Sequence, residues 1–163
     1  MLYDDLKSIV IKEYFSLISE YEGGDYSKMN TDIHGISRYQ LMNGRTINDA
    51  MLVFVEMLNS CDLICSHNNS FDITKIVKHL METKITYTPK PRIDTVNIGG
   101  CRISLDDLYK ICTGENRDNK HRVRKDVYDL ITCWNSNLDK IDPRKHLNYC
   151  TAITKKGSLC SMK

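Results

Sequence analysis

Ser66-His67-Asn68-Asn69-Ser70-Phe71-Asp72 gathers an imidazole, two amides and a carboxylate into one short stretch. Residues 62–66 just before it form a short apolar run with strand character, and helical periodicity begins at or near Ser70. Asp72 then falls in the first turn of a helix, beside a strand end. Loops at the carboxyl ends of strands are where α/β proteins place ligands. A carboxylate there can offer hard oxygens to a divalent cation. Ser70 and Asp72 would equally complement the unpaired N–H groups and the dipole of a helix N-terminus.

His121-Arg122-Val123-Arg124-Lys125-Asp126 has similar potential. A histidine at the end of a polar loop can act as a general base near neutral pH. Asp126 lies off the apolar stripe of the helix that follows and suits Mg²⁺ or Mn²⁺. The basic residues between them suit a phosphate backbone. Taken alone, the segment is also a solvated charge run. A third stretch, Ile33-His34-Gly35-Ile36-Ser37, combines a histidine among apolar residues with a glycine that permits a tight turn. Such a stretch serves equally as a packed turn.

The elements that would position these groups can be read from periodicity. Residues 9–18 are rich in β-branched and aromatic side chains and read as one or two strands. Thr46 is a candidate N-cap for a helix over 46–58, with Ile47, Ala50, Met51, Phe54 and Leu58 on one face. A helix over 70–80 buries Ile73, Ile76, Val77 and Leu80. Residues 92–98 read as a strand and Gly99-Gly100 as a turn. Ser104 opens a helix that ends near Gly114, and residues 115–120 form a polar loop. A last helix carries Val123, Val127, Leu130, Ile131 and Trp134 on one face, with Asp126 turned toward the strand ends. Strands interleaved with helices argue for an α/β fold with a mixed sheet.

Composition narrows the classes. The 163 residues are 41% hydrophobic and 27% charged, ordinary for a globular domain. Lys plus Arg is 23 against 21 for Asp plus Glu, a net +2 that neither demands nor excludes a nucleic-acid partner. No apolar run approaches the ~20 residues needed to span a bilayer, and the start lacks the pattern of a signal peptide. Seven cysteines, an odd number scattered through apolar segments, point to a reduced intracellular compartment rather than a disulfide scaffold.

In order, spacing and context, the three constellations resemble the DnaQ-like, DEDDh-type 3′–5′ exonuclease family, which has a ribonuclease-H-like fold. That family carries an Ile-His-Gly-Ile turn, a strand ending in His-Asn-x-x-Phe-Asp, and His-x-Ala-x-x-Asp on a helix. Here these read Ile33 to Ile36, His67 to Asp72 and His121 to Asp126, with Val123 where the family prefers Ala. Arg92-Ile93-Asp94-Thr95 and Leu105-Asp106-Asp107-Leu108-Tyr109 look like its connecting segment. The likeness covers roughly residues 1–135. It implies two-metal hydrolysis with Mg²⁺ or Mn²⁺. Asp126 would be a direct metal ligand, Asp72 would support the second metal through water, and His121 would deprotonate the attacking water. His34, Gly35 and Ile36 would line the pocket for the terminal nucleotide. His67, Asn68 and Phe71 would shape the strand end, and Arg122, Arg124 and Lys125 would meet phosphates. The substrate would be single-stranded or frayed 3′ ends of DNA or RNA, with no membrane partner. Asp72 and Asp126 are expected to converge.

One departure stands at the front. The family opens with a strand bearing Asp-x-Glu, and Asp4, Asp5 and Glu13 do not match it. The expected architecture is therefore a ribonuclease-H-like mixed sheet flanked by helices and missing its first strand. It would form an exonuclease-like domain over 1–140, with hydrolysis crippled in the chain as it stands. Residues 141–163 read as a basic tail. Cys150 and Cys160 there resemble half of a small Cys/His zinc motif of the kind that recurs in proteins of large DNA viruses, with His146 as a further ligand. A disordered tail with two free thiols fits the same residues. Two other functions remain open: a non-catalytic nucleic-acid-binding or protein-interaction remnant of the fold, and a small zinc-binding interaction protein.

Overall fold

The computed structural model describes residues 1–19, 32–33, 35–98, 101–118 and 122–136. Along the chain these form β1 (Leu2–Asp4), β2 (Ile9–Lys12), α1 (Arg38–Leu41), α2 (Ile47–Asn59), β3 (Ile64–Ser66) and α3 (Asn69–Thr83). They continue through β4 (Arg92–Asp94), β5 (Asn97–Ile98), β6 (Cys101–Arg102), α4 (Leu105–Thr113) and α5 (Val123–Trp134).

Local side-chain chemistry sets several helix ends. Ser37 and Gln40 form a reciprocal capping box at α1. Thr46 Oγ1 accepts the Asp49 N–H at 3.1 Å and opens α2. Ser104 Oγ accepts the Asp107 N–H at 3.1 Å and opens α4. That helix stops where Gly114 takes φ +79° and donates its N–H to the Lys110 carbonyl. These boundaries agree with the sequence expectations for 46–58 and for the helix from Ser104 to Gly114.

The chain is α/β, with strands that pair two by two among the described residues. β1 and β2 are antiparallel, as are β5 and β6. β3 neighbours β4. The Ile64 N–H donates to the Pro91 carbonyl at 2.9 Å and the Thr95 N–H to the Ser66 carbonyl at 3.0 Å. These bonds advance in the same sense along both strands, the pattern of a parallel pair, with α3 as the connection. The strand expected over 92–98 is broken between β4 and β5. The cause is Asp94, whose Oδ1 accepts the Val96 N–H at 3.1 Å and turns the chain. The strand expected over 9–18 ends at Lys12; further on, Ile18 makes only an isolated parallel bridge to Arg45.

Two compact units emerge. The first comprises residues 1–64 and 70–92. Its core is Met51 and Val55 of α2 with Leu80 of α3, and Ile47, Phe54, Ile76, Ile85 and Tyr87 pack against them. Val77, expected on the buried stripe, is 40% exposed. The second unit comprises 65–69 and the chain from 93 onward. Ile103, Leu108 and Cys133 are its fully buried centre, flanked by Ile98, Leu105, Tyr109, Ile111, Cys112 and Trp134. In α5 the buried residues are Asp129 and Cys133, while Val123 is 64% exposed and Trp134 half-buried. The inward face is thus rotated from the expected stripe, because a neutralised aspartate occupies an interior position. No described helix is long and apolar enough to cross a membrane.

Within the first unit, residues 44–45 run against 17–19. The Arg45 N–H donates to the Leu17 carbonyl and the Ser19 N–H to the Arg45 carbonyl, both at 2.8 Å. A Cβ on Gly44 would lie 2.6 Å from Ser19 N and 2.8 Å from Leu17 O. Both are backbone atoms and cannot swing aside. Gly44→Ala is therefore expected to destabilise the chain by about 1–3 kcal/mol, read as a lower urea midpoint at unchanged slope.

Candidate functional site

The turn after β3 is built around a carboxylate from the neighbouring strand. Asp94 Oδ1 accepts the Asn68 N–H at 2.9 Å, and Oδ2 accepts the Asn69 N–H at 3.0 Å. Asn68 sits at φ +70°, a left-handed conformation that asparagine tolerates better than most residues. Asn69 is buried and starts α3. Asp94 therefore does from a distance what an N-cap does locally: it satisfies N–H groups at the helix start and places a negative charge at the dipole's positive end.

His67 is locked beside this clamp. Its Nδ1 lies 3.0 Å from the hydroxyl of Thr95, which is 1% exposed, and the ring also hydrogen-bonds the Ile103 backbone. The Thr95 hydroxyl also lies 3.3 Å from the Ser66 carbonyl, to which it can donate, so strand end and imidazole share this one hydroxyl. Burial lowers the His67 pKa below its ordinary 6.5; Arg117 and Arg102 push the same way, while Asp94 and the Ile103 bond oppose.

The second cluster centres on Arg117, whose side chain is 5% exposed. Its Nε donates to Asp129 Oδ2 at 2.9 Å and its Nη1 to Asp106 Oδ1 at 2.8 Å, while Nη2 is paired with Asp126 Oδ1. Asp106 is on α4; Asp126 and Asp129 are on α5. Lys125 adds bonds to Asp129 and, at 3.4 Å, to Asp118. Burial works against the guanidinium charge, but Asp129, Asp126 and Asp106 outweigh it and hold the Arg117 pKa above its usual value. His67 and the Arg117 cluster thus share one unit and one electrostatic environment.

The other expected site residues are placed as follows. Gly35 is exposed at φ +67°, the tight-turn conformation anticipated for it, and Ile36 is half-buried just before the α1 cap. Phe71 is 60% exposed, with Lys75 Nζ 5.6 Å from its ring centroid. Asp72 is in the first turn of α3 and belongs to the first unit, whereas Asp126 opens α5 in the second. Arg122 is the α5 N-cap residue, and both it and Arg124 are exposed. His34, His121, His146, Cys150 and Cys160 lie outside the described residues.

Asp94 and Arg117 are the organising groups that motif reading passed over. Asp94 stood in a segment noted only as a connection, and Arg117 in a loop notable only for polarity. Among the described residues no group of three His, Cys, Asp or Glu side chains gathers as a metal site. In this arrangement the surroundings of Asp126 do not fit a divalent ion, because the Arg117 guanidinium already takes its Oδ1. No family model, curated protein or solved structure matches the chain.

Two outcomes follow. Arg117→Met leaves buried Asp129 with Lys125 still bonded to one oxygen and the other unmet, and should cost about 1–3 kcal/mol, read by chemical denaturation. Adding Asp129→Leu should recover part of that loss. The His67 shift has a defined sign. Because the folded pKa lies below 6.5, its contribution is complete above pH 6.5 and is lost as pH falls from there through the folded value. The thermal midpoint should therefore drop more between about pH 7.5 and 5.5 in the parent chain than in His67→Gln.

Proposed function

We propose that the chain is a 3′–5′ exonuclease module of the DnaQ-like class, with a ribonuclease-H-like α/β fold, acting on single-stranded or frayed 3′ ends. The observation that supports this most lies in the second unit. The His67-Asn68 turn at the end of β3 is clamped by Asp94, and the same unit carries Asp126 at the start of α5. The order of residues along the chain matches that of the family motifs. This reading assigns Asp72, His121 and Asp126 to hydrolysis. It assigns Arg122 and Arg124, exposed at the start of α5, to phosphates, and the exposed Phe71 ring to base stacking.

Divalent metal is what the family would supply as the Lewis acid at the scissile phosphate. Hydrolysis under this reading requires Arg117 to release Asp126. That requirement favours a second reading, in which the module binds 3′ ends without cleaving them and Arg117 permanently supplies the positive charge at Asp126.

Incubation of the full chain with 5′-labelled single-stranded DNA and RNA, in Mg²⁺ and in Mn²⁺, decides between them. For a chain without the family's Asp-x-Glu, the first reading expects only slow, metal-dependent shortening from the 3′ end, lost in Asp126→Asn and in Asp72→Asn. Intact oligonucleotide that binds, with affinity falling steeply as salt rises, supports the second. Neither cleavage nor binding would overturn both.

A further inference from the structure

Two cysteines sit on the paired helices α4 and α5. Cys112 is in the last turn of α4 and Cys133 in the last turn of α5. Cys112 Sγ lies 4.0 Å from the Cys133 carbonyl oxygen, and both residues belong to one buried cluster. They are 21 positions apart in sequence. Both belong to the core of the second unit, but unequally: Cys133 is fully buried, and Cys112 sits at the rim, half-buried. Toward their other ends the same two helices are tied together by Arg117, which bonds Asp106 of α4 and Asp126 and Asp129 of α5. The two cysteines are therefore carried on a helix pair that is pinned independently of them.

We propose that Cys112 and Cys133 are a redox pair that closes into an intramolecular disulfide on reaction with a hydroperoxide, Cys112 attacking and Cys133 resolving. The unequal burial sets the roles. Hydrogen bonds from Cys133 and Ser136 favour the Cys112 thiolate against the cost of its burial. Cys133 is held in the thiol form by its bond to Cys112 and by its own burial. Of the two, Cys112 is the one shifted toward the thiolate and the one that can be reached. In the first step the Cys112 thiolate takes the distal oxygen of hydrogen peroxide, giving a sulfenic acid and releasing hydroxide. In the second, the Cys133 sulfur displaces the hydroxyl group from Cys112, and its proton leaves with that hydroxyl as water. The pair of thiols loses two electrons and peroxide gains them. Cys65 offers an internal contrast. Burial and then Asp94 push its thiol up to about 11, so it stays protonated and slow.

The test uses the full chain and does not depend on any nucleic-acid activity. Peroxide treatment, alkylation of remaining thiols and peptide mapping should show the Cys112 and Cys133 peptides joined, about 2 Da lighter than the sum of their reduced forms. Dithiothreitol should restore both. The thermal midpoint of the oxidised chain should rise. In Cys133→Ser, dimedone should trap a sulfenic acid at Cys112; in Cys112→Ser, Cys133 should stay unmodified. Far-UV circular dichroism confirms that each variant is folded, and the parent mass map stands without them. The proposal is overturned if parent Cys112 takes dimedone while Cys133 remains a free thiol. It is also overturned if Cys112 links to any other cysteine or to a second chain, or if Cys65 reacts first.

Discussion

A single buried guanidinium governs the second unit. Arg117 leaves the loop after α4 and turns inward, where its three nitrogens meet carboxylates from two helices. An aspartate inside a protein core is tolerable only when its charge is met by a partner at hydrogen-bond distance. Arg117 supplies that partner to Asp129, and by reaching Asp106 it also sets how α4 lies against α5. The planar fork of arginine can do this; lysine, with one nitrogen, could not bridge the same three acids. Cys133 and Leu108 then fill the apolar space left between the helices.

Asp94 applies the same logic elsewhere in that unit, with backbone amides in place of a side-chain cation. Its two oxygens hold three N–H groups, from Asn68, Asn69 and Val96. One carboxylate thereby sets the turn after β3, starts α3 and ends β4. His67 is packed against the neighbouring Thr95, so imidazole orientation and strand ending are one structural event rather than two.

What could be read from sequence divides by the range of the cause. The boundaries of α2 and α4 were legible because Thr46, Ser104 and Gly114 act on N–H and C=O groups within a turn of themselves. The inward face of α5 was not, because the burial of Asp129 depends on Arg117, 12 positions away in a loop without periodicity. The 92–98 strand failed for a related reason: β-branched residues predict extension, and Asp94 overrules them by bonding Val96. At the candidate site, the polar turn of His67 and Asn68 and the tight turn at Gly35 were visible as residue types. Their anchor was invisible, since nothing near Asn68 announces that Asp94 will reach back to it.

That reach has a consequence for synthesis. Asn69 and Asp94 are 25 positions apart, and a ribosome makes the earlier one first. While β4 is still inside the exit tunnel, the beginning of α3 lacks the Asp94 carboxylate that receives the Asn68 and Asn69 amides in the folded chain. The nascent helix must fray at that end until Asp94 emerges and docks. Completion of the turn is thus a late, non-local step in biogenesis, ordered by translation itself.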